Sequence, residues 1–181
     1  MKGEKLHQVY LGLGSNLGDK EENIRQAITL INKQIGTVVR QSAFFYSDPW
    51  GFESENKFVN AAILVSTHLT PYQLLKATQR IERQLGKTEA HATERKPQTS
   101  ARPKDACYRR DARNLQPQTI YHDRPIDIDI LLYDNLHIEE PQLKIPHPLM
   151  QERDFVMIPL REICDAITYA DPEPSRWHDN D

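Results

Sequence analysis

The chain is short of several things, and each shortage removes a class of protein. It has two cysteines in 181 residues, Cys107 and Cys164. Two thiols cannot build a disulfide scaffold or a four-thiolate metal site, and free thiols point to a cytoplasmic protein. No apolar run approaches the ~20 residues that span a bilayer. The opening MKGEKLHQVY has no apolar stretch of the kind a signal peptide needs. Neither sign of charge dominates: 23 basic side chains face 26 acidic ones, for a net charge of -3. Charge therefore offers no argument for a nucleic-acid or membrane partner.

What remains is enough for one soluble domain with a real core, at 38% hydrophobic and 27% charged residues. HQVYLGLGS (7–15) reads as a buried strand running into a Gly/Ser/Asn turn. Asp19 caps a helix predicted over 20–34, with Glu22 three residues on and Ile24, Ala27, Ile28 and Ile31 on one face. Gly36 closes it. TVVRQSAFFY (37–46) reads as one strand, SDPWGFESEN (47–56) as a loop and KFVNAAILVSTH (57–68) as a long strand. Thr70 and Pro71 open a second helix, striped by Leu74, Thr78, Ile81 and Leu85 and ended by Gly86. RPIDIDILLYDN (124–135) is the fourth strand, followed by a short strand near Leu143 and one or two short helices after Pro148. The order βαββαβ predicts an α+β, ferredoxin-like fold: a mostly antiparallel sheet, two helices on one face and a C-terminal extension. One domain is expected over 1–165, with a polar tail over 166–181. Between 87 and 123 the sequence is rich in Arg, Lys, Gln and Pro and nearly free of aliphatics. It reads as a long loop insert, a candidate lid over the site.

The fourth strand carries the chemistry. Side chains at i and i+2 share a face, so Asp127 and Asp129 project together, with Ile126, Ile128 and Ile130 opposite. Leu131 and Tyr133 are expected to continue the aspartates' face. The two Cα atoms should lie ~6.6 Å apart. Carboxylates that close repel unless a cation sits between them, and Mg²⁺ takes one or two carboxylates together with substrate phosphate oxygens. The plainer reading is a pair of charges guarding an exposed strand. Arg124 just before the pair, with His147 and Arg153 further on, would suit phosphoryl transfer. LGLGSNLGD lacks a P-loop ending and by itself reads as turn chemistry.

Taken together, LGLGSNLGD, FFYSDPWG, FVNAA, QRIERQLG, DRPIDIDILLYD and IPHPLMQERDFVMIPL resemble one family along about residues 8–165. It is the 6-hydroxymethyl-7,8-dihydropterin pyrophosphokinase family of folate biosynthesis. The resemblance implies transfer of pyrophosphate from ATP to the pterin's hydroxymethyl oxygen, with release of AMP. It implies that Asp127 and Asp129 hold two Mg²⁺ ions on the ATP phosphates, aided by Arg124 and Lys87. It implies a pterin between Phe58 and Phe155, its polar edge read by Asn60 and by Asp48, Pro49, Trp50 and Gly51. Gln79, Glu82, Ile130, Lys144, His147 and Arg153 fall on the nucleotide side. The expected partners are ATP and the pterin alone, with no nucleic acid and no membrane, and the chain is expected to act as a cytoplasmic monomer.

Gln142 and Lys144 differ from the family's common nucleotide contacts, and three further departures stand out. His122 and Asp123 replace the small residue and proline that more often precede the arginine. Lys87 stands where many members place an arginine, and a lysine is a point charge rather than a fork. The insert is longer than usual, and its Arg95, Arg102, Arg109, Arg110 and Arg113 could replace lost contacts. Two other readings use the same pattern. A ferredoxin-like RNA-binding module would need exposed aromatics and a basic sheet face, which the acidic pair opposes. A D-x-D nucleotidyltransferase or glycosyltransferase would release pyrophosphate or a nucleoside diphosphate rather than AMP. A dinucleotide-binding dehydrogenase is disfavoured by the element order.

Overall fold

The computed structural model describes residues 5–50, 54–88 and 123–164. Nearly all of the expected insert, the expected tail, Gly51 and Cys107 lie outside the described residues, and so does the lid expectation. Strand β1 (His7–Ser15) runs antiparallel between β4 (Phe58–Thr67) and β5 (Asp127–Tyr133). β2 (Thr37–Gln41) flanks the other side of β4, for a sheet order β2-β4-β1-β5. That is the antiparallel order of a ferredoxin-like sheet.

Helices α1 (Lys20–Gln34) and α2 (Pro71–Gln84) start where their caps predict. Asp19 Oδ1 accepts from the Glu22 N–H at 3.1 Å. Thr70 and Gln73 exchange side-chain-to-backbone bonds in a full capping box. Their apolar stripes (Ile24, Ala27 and Ile31; Leu74 and Ile81) bury against one face of the sheet. That face is built by Val9, Leu11 and Leu13 of β1, Val59, Ala61, Ile63 and Val65 of β4, and Ile128 and Ile130 of β5. Gly36 is required between α1 and β2, because a Cβ there would stand 2.2 Å from the Ser66 carbonyl oxygen. Gly86 takes φ +93° past the end of α2, which lets the Lys87 N–H reach back to the Glu82 carbonyl at 2.9 Å.

The opposite face is covered by the C-terminal extension. A short hairpin of β6 (Ile138–Glu140) and β7 (Leu143–Ile145) leads to a 3₁₀ turn (Met150–Glu152) and α3 (Asp154–Ile163). Met150, Leu160 and Ile163 pack on Tyr10, Ala62, Leu64 and Leu131. The sheet is thus sandwiched between α1/α2 and α3, which is why β4 is buried almost along its whole length. Among the described residues no helix is long and apolar enough to cross a membrane.

Two expectations need correction. The stretch 37–46 is not one strand: β2 ends at Gln41 and β3 (Phe45–Ser47) begins a second pairing with β4. Ser42 is the cause. Its N–H donates to the Ala62 carbonyl and its hydroxyl accepts from the Ala62 N–H, both at 2.9 Å, so a side chain replaces one rung of the ladder. Tyr133 does not continue the aspartates' face either. The β1–β5 register slips between Tyr10 and Leu11, leaving Leu131 as an extra residue. The bulge turns Tyr133 to the α1/α2 side, where its hydroxyl donates to the Leu69 carbonyl at 2.6 Å.

Candidate active site

Strand alternation builds the floor of a cavity on the α3 face. Gly12 and Gly14 of β1, Phe58 and Asn60 of β4, and Asp127, Asp129 and Leu131 of β5 all line it. Gly12 and Gly14 lie within β1, as in the strand expected over 7–15, and having no side chains they leave the floor open. The cavity measures about 280 Å³. Its far wall comes from the extension: His147, Leu149, Arg153 and Phe155. Trp50 and Asp48 reach it from the loop after β3.

The two aspartates sit in opposite electrostatic states. Asp127 Oδ1 accepts from Lys87 Nζ at 2.6 Å, and Asp127 Oδ2 lies 3.0 Å from an Arg124 terminal nitrogen. Burial alone would raise its pKa, but Arg124 and Lys87 hold it down to about 2. Asp129 has no such partner among the described residues. Burial, and then the neighbouring Asp127, push it up to about 7 against the pull of Arg153. The protein thus supplies Asp127 with two cations of its own, Lys87 and Arg124.

Lys87 is held by a second carboxylate. Its Nζ donates to Glu82 Oε1 at 2.8 Å, and the same oxygen accepts from the Ile128 N–H at 2.8 Å. Burial acts to lower the Lys87 pKa, yet Asp127 and Glu82 outweigh it and raise it. Glu82 is raised by burial and by Asp127, against Lys87. The buried Glu82 therefore ties α2, the residue after Gly86 and the D-x-D strand at one point.

The rest of the cavity is aromatic and cationic. The Arg124 guanidinium lies 5.3 Å from the centre of the Phe58 ring. Arg153, itself buried, stacks 4.5 Å over Trp50 and 5.8 Å from Phe155. Asn60 Nδ2 donates to Ser47 Oγ at 3.0 Å and to the Phe45 carbonyl at 3.3 Å, which fixes its amide over Gly14. His147 is lowered to about 4 by burial and by Arg153, against Asp127, so it is neutral at pH 7. Its Nδ1 accepts from the Leu149 N–H at 3.3 Å, which leaves Nε2 to carry the proton.

The structure gathers Asp127, Asp129, Arg124, Phe58, Asn60, Phe155, Trp50, Asp48, His147 and Arg153 around one cavity, with Lys87 and Glu82 behind the pair. It does not bring in the remainder. Gln79 is exposed on α2, the Ile130 side chain is in the α1/α2 core, and exposed Lys144 lies 3.6 Å from Glu139 on the outer hairpin. Pro49 is half-buried in the loop before Trp50. Sequence reading did not assign roles to Asn16 and Asp123. Asn16 is fully buried and pairs with Arg124 through its backbone and side chain. The available signal was Asn16 directly after a Gly-rich strand and Asp123 directly before the arginine.

Asp129 also tests whether the site suits a divalent cation. Its carboxyl lines the cavity without a hydrogen bond or ion pair to any described residue, beside a second carboxylate whose outer lone pairs remain. Among the described residues no cluster of three His, Cys, Asp or Glu side chains could hold a metal alone. Two carboxylates with the remaining positions open suit an ion that brings phosphate oxygens with it.

Comparison with known proteins gives the family and the fold. The family model described as 7,8-dihydro-6-hydroxymethylpterin-pyrophosphokinase matches residues 10–165. The chain is 36% identical over 168 residues to the 2-amino-4-hydroxy-6-hydroxymethyldihydropteridine pyrophosphokinase of Porphyromonas gingivalis, covering 92% of this chain and 97% of that one. It is 37% identical over 159 residues to the enzyme of the same name from Bacillus subtilis, covering 87% and 78%. In fold it is similar to a crystal structure of wild-type Plasmodium falciparum HPPK-DHPS, with a TM-score of 0.56 at 13% identity. That alignment covers 90% of this chain, which spans 41% of the solved chain.

Proposed function

The chain belongs to the 7,8-dihydro-6-hydroxymethylpterin-pyrophosphokinase family, and from the geometry of its cavity we infer how its residues divide the family's work. The protein is an ATP-dependent pyrophosphokinase of folate biosynthesis. The hydroxymethyl oxygen of 6-hydroxymethyl-7,8-dihydropterin forms a bond to the β-phosphorus of ATP. The bond from that phosphorus to the α,β-bridging oxygen breaks, AMP leaves, and the hydroxyl proton is lost.

One observation carries the assignment of roles: a single cavity joins an aromatic wall to a wall of carboxylates and guanidinium groups. Phe58 and Phe155 hold the pterin by its faces, and Asn60 presents its fixed amide to the ring's polar edge. The Asp48–Trp50 loop closes the outer side. Asp129 and Asp127 hold Mg²⁺, two ions on this reading, which when bound supplies positive charge to the phosphate oxygens. Arg124 and Arg153 flank the phosphates from two sides, and neutral His147 donates its Nε2–H. Lys87 holds the Asp127 carboxylate ionised and turned toward the cavity. Catalysis then rests on positioning and on charge placed in advance, as suits a transfer with little covalent work for the protein. The protein works as a monomer on small molecules alone, in the cytoplasm; its low cysteine content supports that location.

The test is AMP release from ATP with the hydroxymethylpterin, with and without Mg²⁺. AMP formed only when pterin and Mg²⁺ are both present is the expected result. Equal turnover after exhaustive chelation would remove the metal from the reading. Phe58→Ala and Phe155→Ala should each weaken pterin binding by roughly 0.5–1.5 kcal/mol beyond the lost area. Affinity for an ATP analogue should change much less. Equal losses for both ligands in calorimetry would place the pterin elsewhere.

A further inference from the structure

Asp123 sits where the chain enters the D-x-D strand, and its carboxylate is a junction of three segments. Oδ1 accepts from Asn16 Nδ2 at 2.6 Å and from Ser54 Oγ at 2.7 Å, and Oδ2 accepts from Asn56 Nδ2 at 2.7 Å. Asn16 closes β1. Ser54 and Asn56 belong to the loop that leads into Phe58. The next residue, Arg124, is pinned from the same side: its N–H donates to Asn16 Oδ1 at 2.8 Å, and its carbonyl accepts from the Asn16 N–H at 3.2 Å. Its guanidinium then reaches both Asp127 and the Phe58 ring.

We propose that Asp123 is a positioning residue of the transfer reaction: its carboxylate locks the loop that leads into Phe58 onto the segment that delivers Arg124 to Asp127. The aromatic wall and the phosphate wall then keep one register. The argument is one of donors. Asn16, Ser54 and Asn56 each point a polar hydrogen at one place, and only an acceptor-only group with two oxygens satisfies all three. Hydrogen bonds to an ionised acceptor are the strong kind. The three bonds, with Arg124 beside them, outweigh the burial that would raise the Asp123 pKa and hold it below the ordinary value. The carboxylate is therefore charged at any working pH. It does not itself line the cavity and makes no hydrogen bond to the aspartate pair, so it acts through Arg124 and Phe58.

The inference rests on the placement of the pterin against Phe58, so Phe58→Ala is measured beside it. In Asp123→Asn one oxygen remains for Asn16 and Ser54, but the new amide opposes the Asn56 amide. The pterin KM should rise about tenfold, the equivalent of one lost charge-assisted hydrogen bond, with the ATP KM within about twofold and a cooperative melt retained. The double variant N56D/D123N gives that amide an acceptor again and should recover most of the loss. An unchanged pterin KM in Asp123→Asn overturns the proposal. So does an equal rise in both KM values, or no recovery in the double variant, since either outcome describes general loosening. If Phe58→Ala leaves the pterin KM unchanged while Asp123→Asn raises it, the pterin placement fails and the clamp stands.

Discussion

Asp127 and Asp129 are the same side chain two residues apart on one face, yet their environments drive them in opposite directions, down to about 2 and up to about 7. Lys87 and Arg124 make the difference, because both reach Asp127. The consequence for stability can be signed. Asp129 holds its proton more tightly folded than unfolded, so it adds stability at low pH that is lost as pH rises toward and through about 7. His147 acts oppositely: lowered to about 4, it adds a cost as pH falls below its ordinary 6.5. Subtracting Asp129→Asn from the wild type, both metal-free, at pH 6.5 and 8 isolates Asp129, because His147 contributes to both proteins alike. Measured by urea unfolding, the wild type should lose about 1 kcal/mol relative to Asp129→Asn across that interval. Binding of Mg²⁺ with an ATP analogue near pH 7 should expel a fraction of a proton from the wild type. Titration calorimetry in two buffers of different ionisation enthalpy reads this directly, and buffer-independent heats would refute the assignment of Asp129 as a ligand.

Elements meet at Glu82. It stands on the buried face of α2, accepts from the β5 backbone at Ile128 and holds Lys87 just beyond the helix's glycine cap. Removing the acceptor leaves a buried N–H and a half-paired ammonium, the expensive direction of change. Glu82→Ala should destabilise by roughly 2–4 kcal/mol. Glu82→Gln, which can still accept from Ile128, should cost clearly less while lowering turnover through Lys87. Chemical denaturation and steady-state kinetics on the two variants separate these effects. If Gln costs as much stability as Ala, the hydrogen bond to β5 is not what Glu82 contributes. Asp127→Ala should bring no gain in stability from relieved repulsion, since it would strand Lys87 and Arg124 beside an empty position. Turnover should still vanish.

At the scale of the molecule the sheet has two differently employed faces. One packs on α1 and α2 and is all core. The other is half core, under α3, and half cavity, over the two glycines. Damage to the two cores should therefore read out differently. Leu160→Ala and Ile24→Ala each open a fully buried site and should cost roughly 2–5 kcal/mol. Only Leu160 holds the helix that begins next to Arg153 and carries Phe155. Its truncation should raise the pterin KM several-fold under conditions where both variants remain folded, while Ile24→Ala leaves it unchanged. Matching KM values would show that the placement of α3 does not govern the site.

Local chemistry determined what could be read without coordinates. Asp19, Thr70 and Pro71 mark helix starts because their bonds are made within a few residues, and both helices begin where these caps stand. The period-2 pattern of PIDIDI put the aspartates on one face for the same reason, and the order of elements selected the sheet. Wherever a distant residue decided the outcome, the sequence was silent or misleading. Ser42 breaks the expected strand because its hydroxyl meets Ala62 across the sheet. Tyr133 changes face because β1 and β5 slip by one residue, and a slip belongs to the pair of strands rather than to either. Gly12 and Gly14 read as part of a strand, but only β4, β5 and α3 made them the floor of a cavity. The states of Asp127 and Asp129 depend on Lys87, 40 residues away in the chain, and on Glu82 behind it. Folding alone brings these charges together, because pKa values follow distance in space and burial, and neither is a property of sequence spacing.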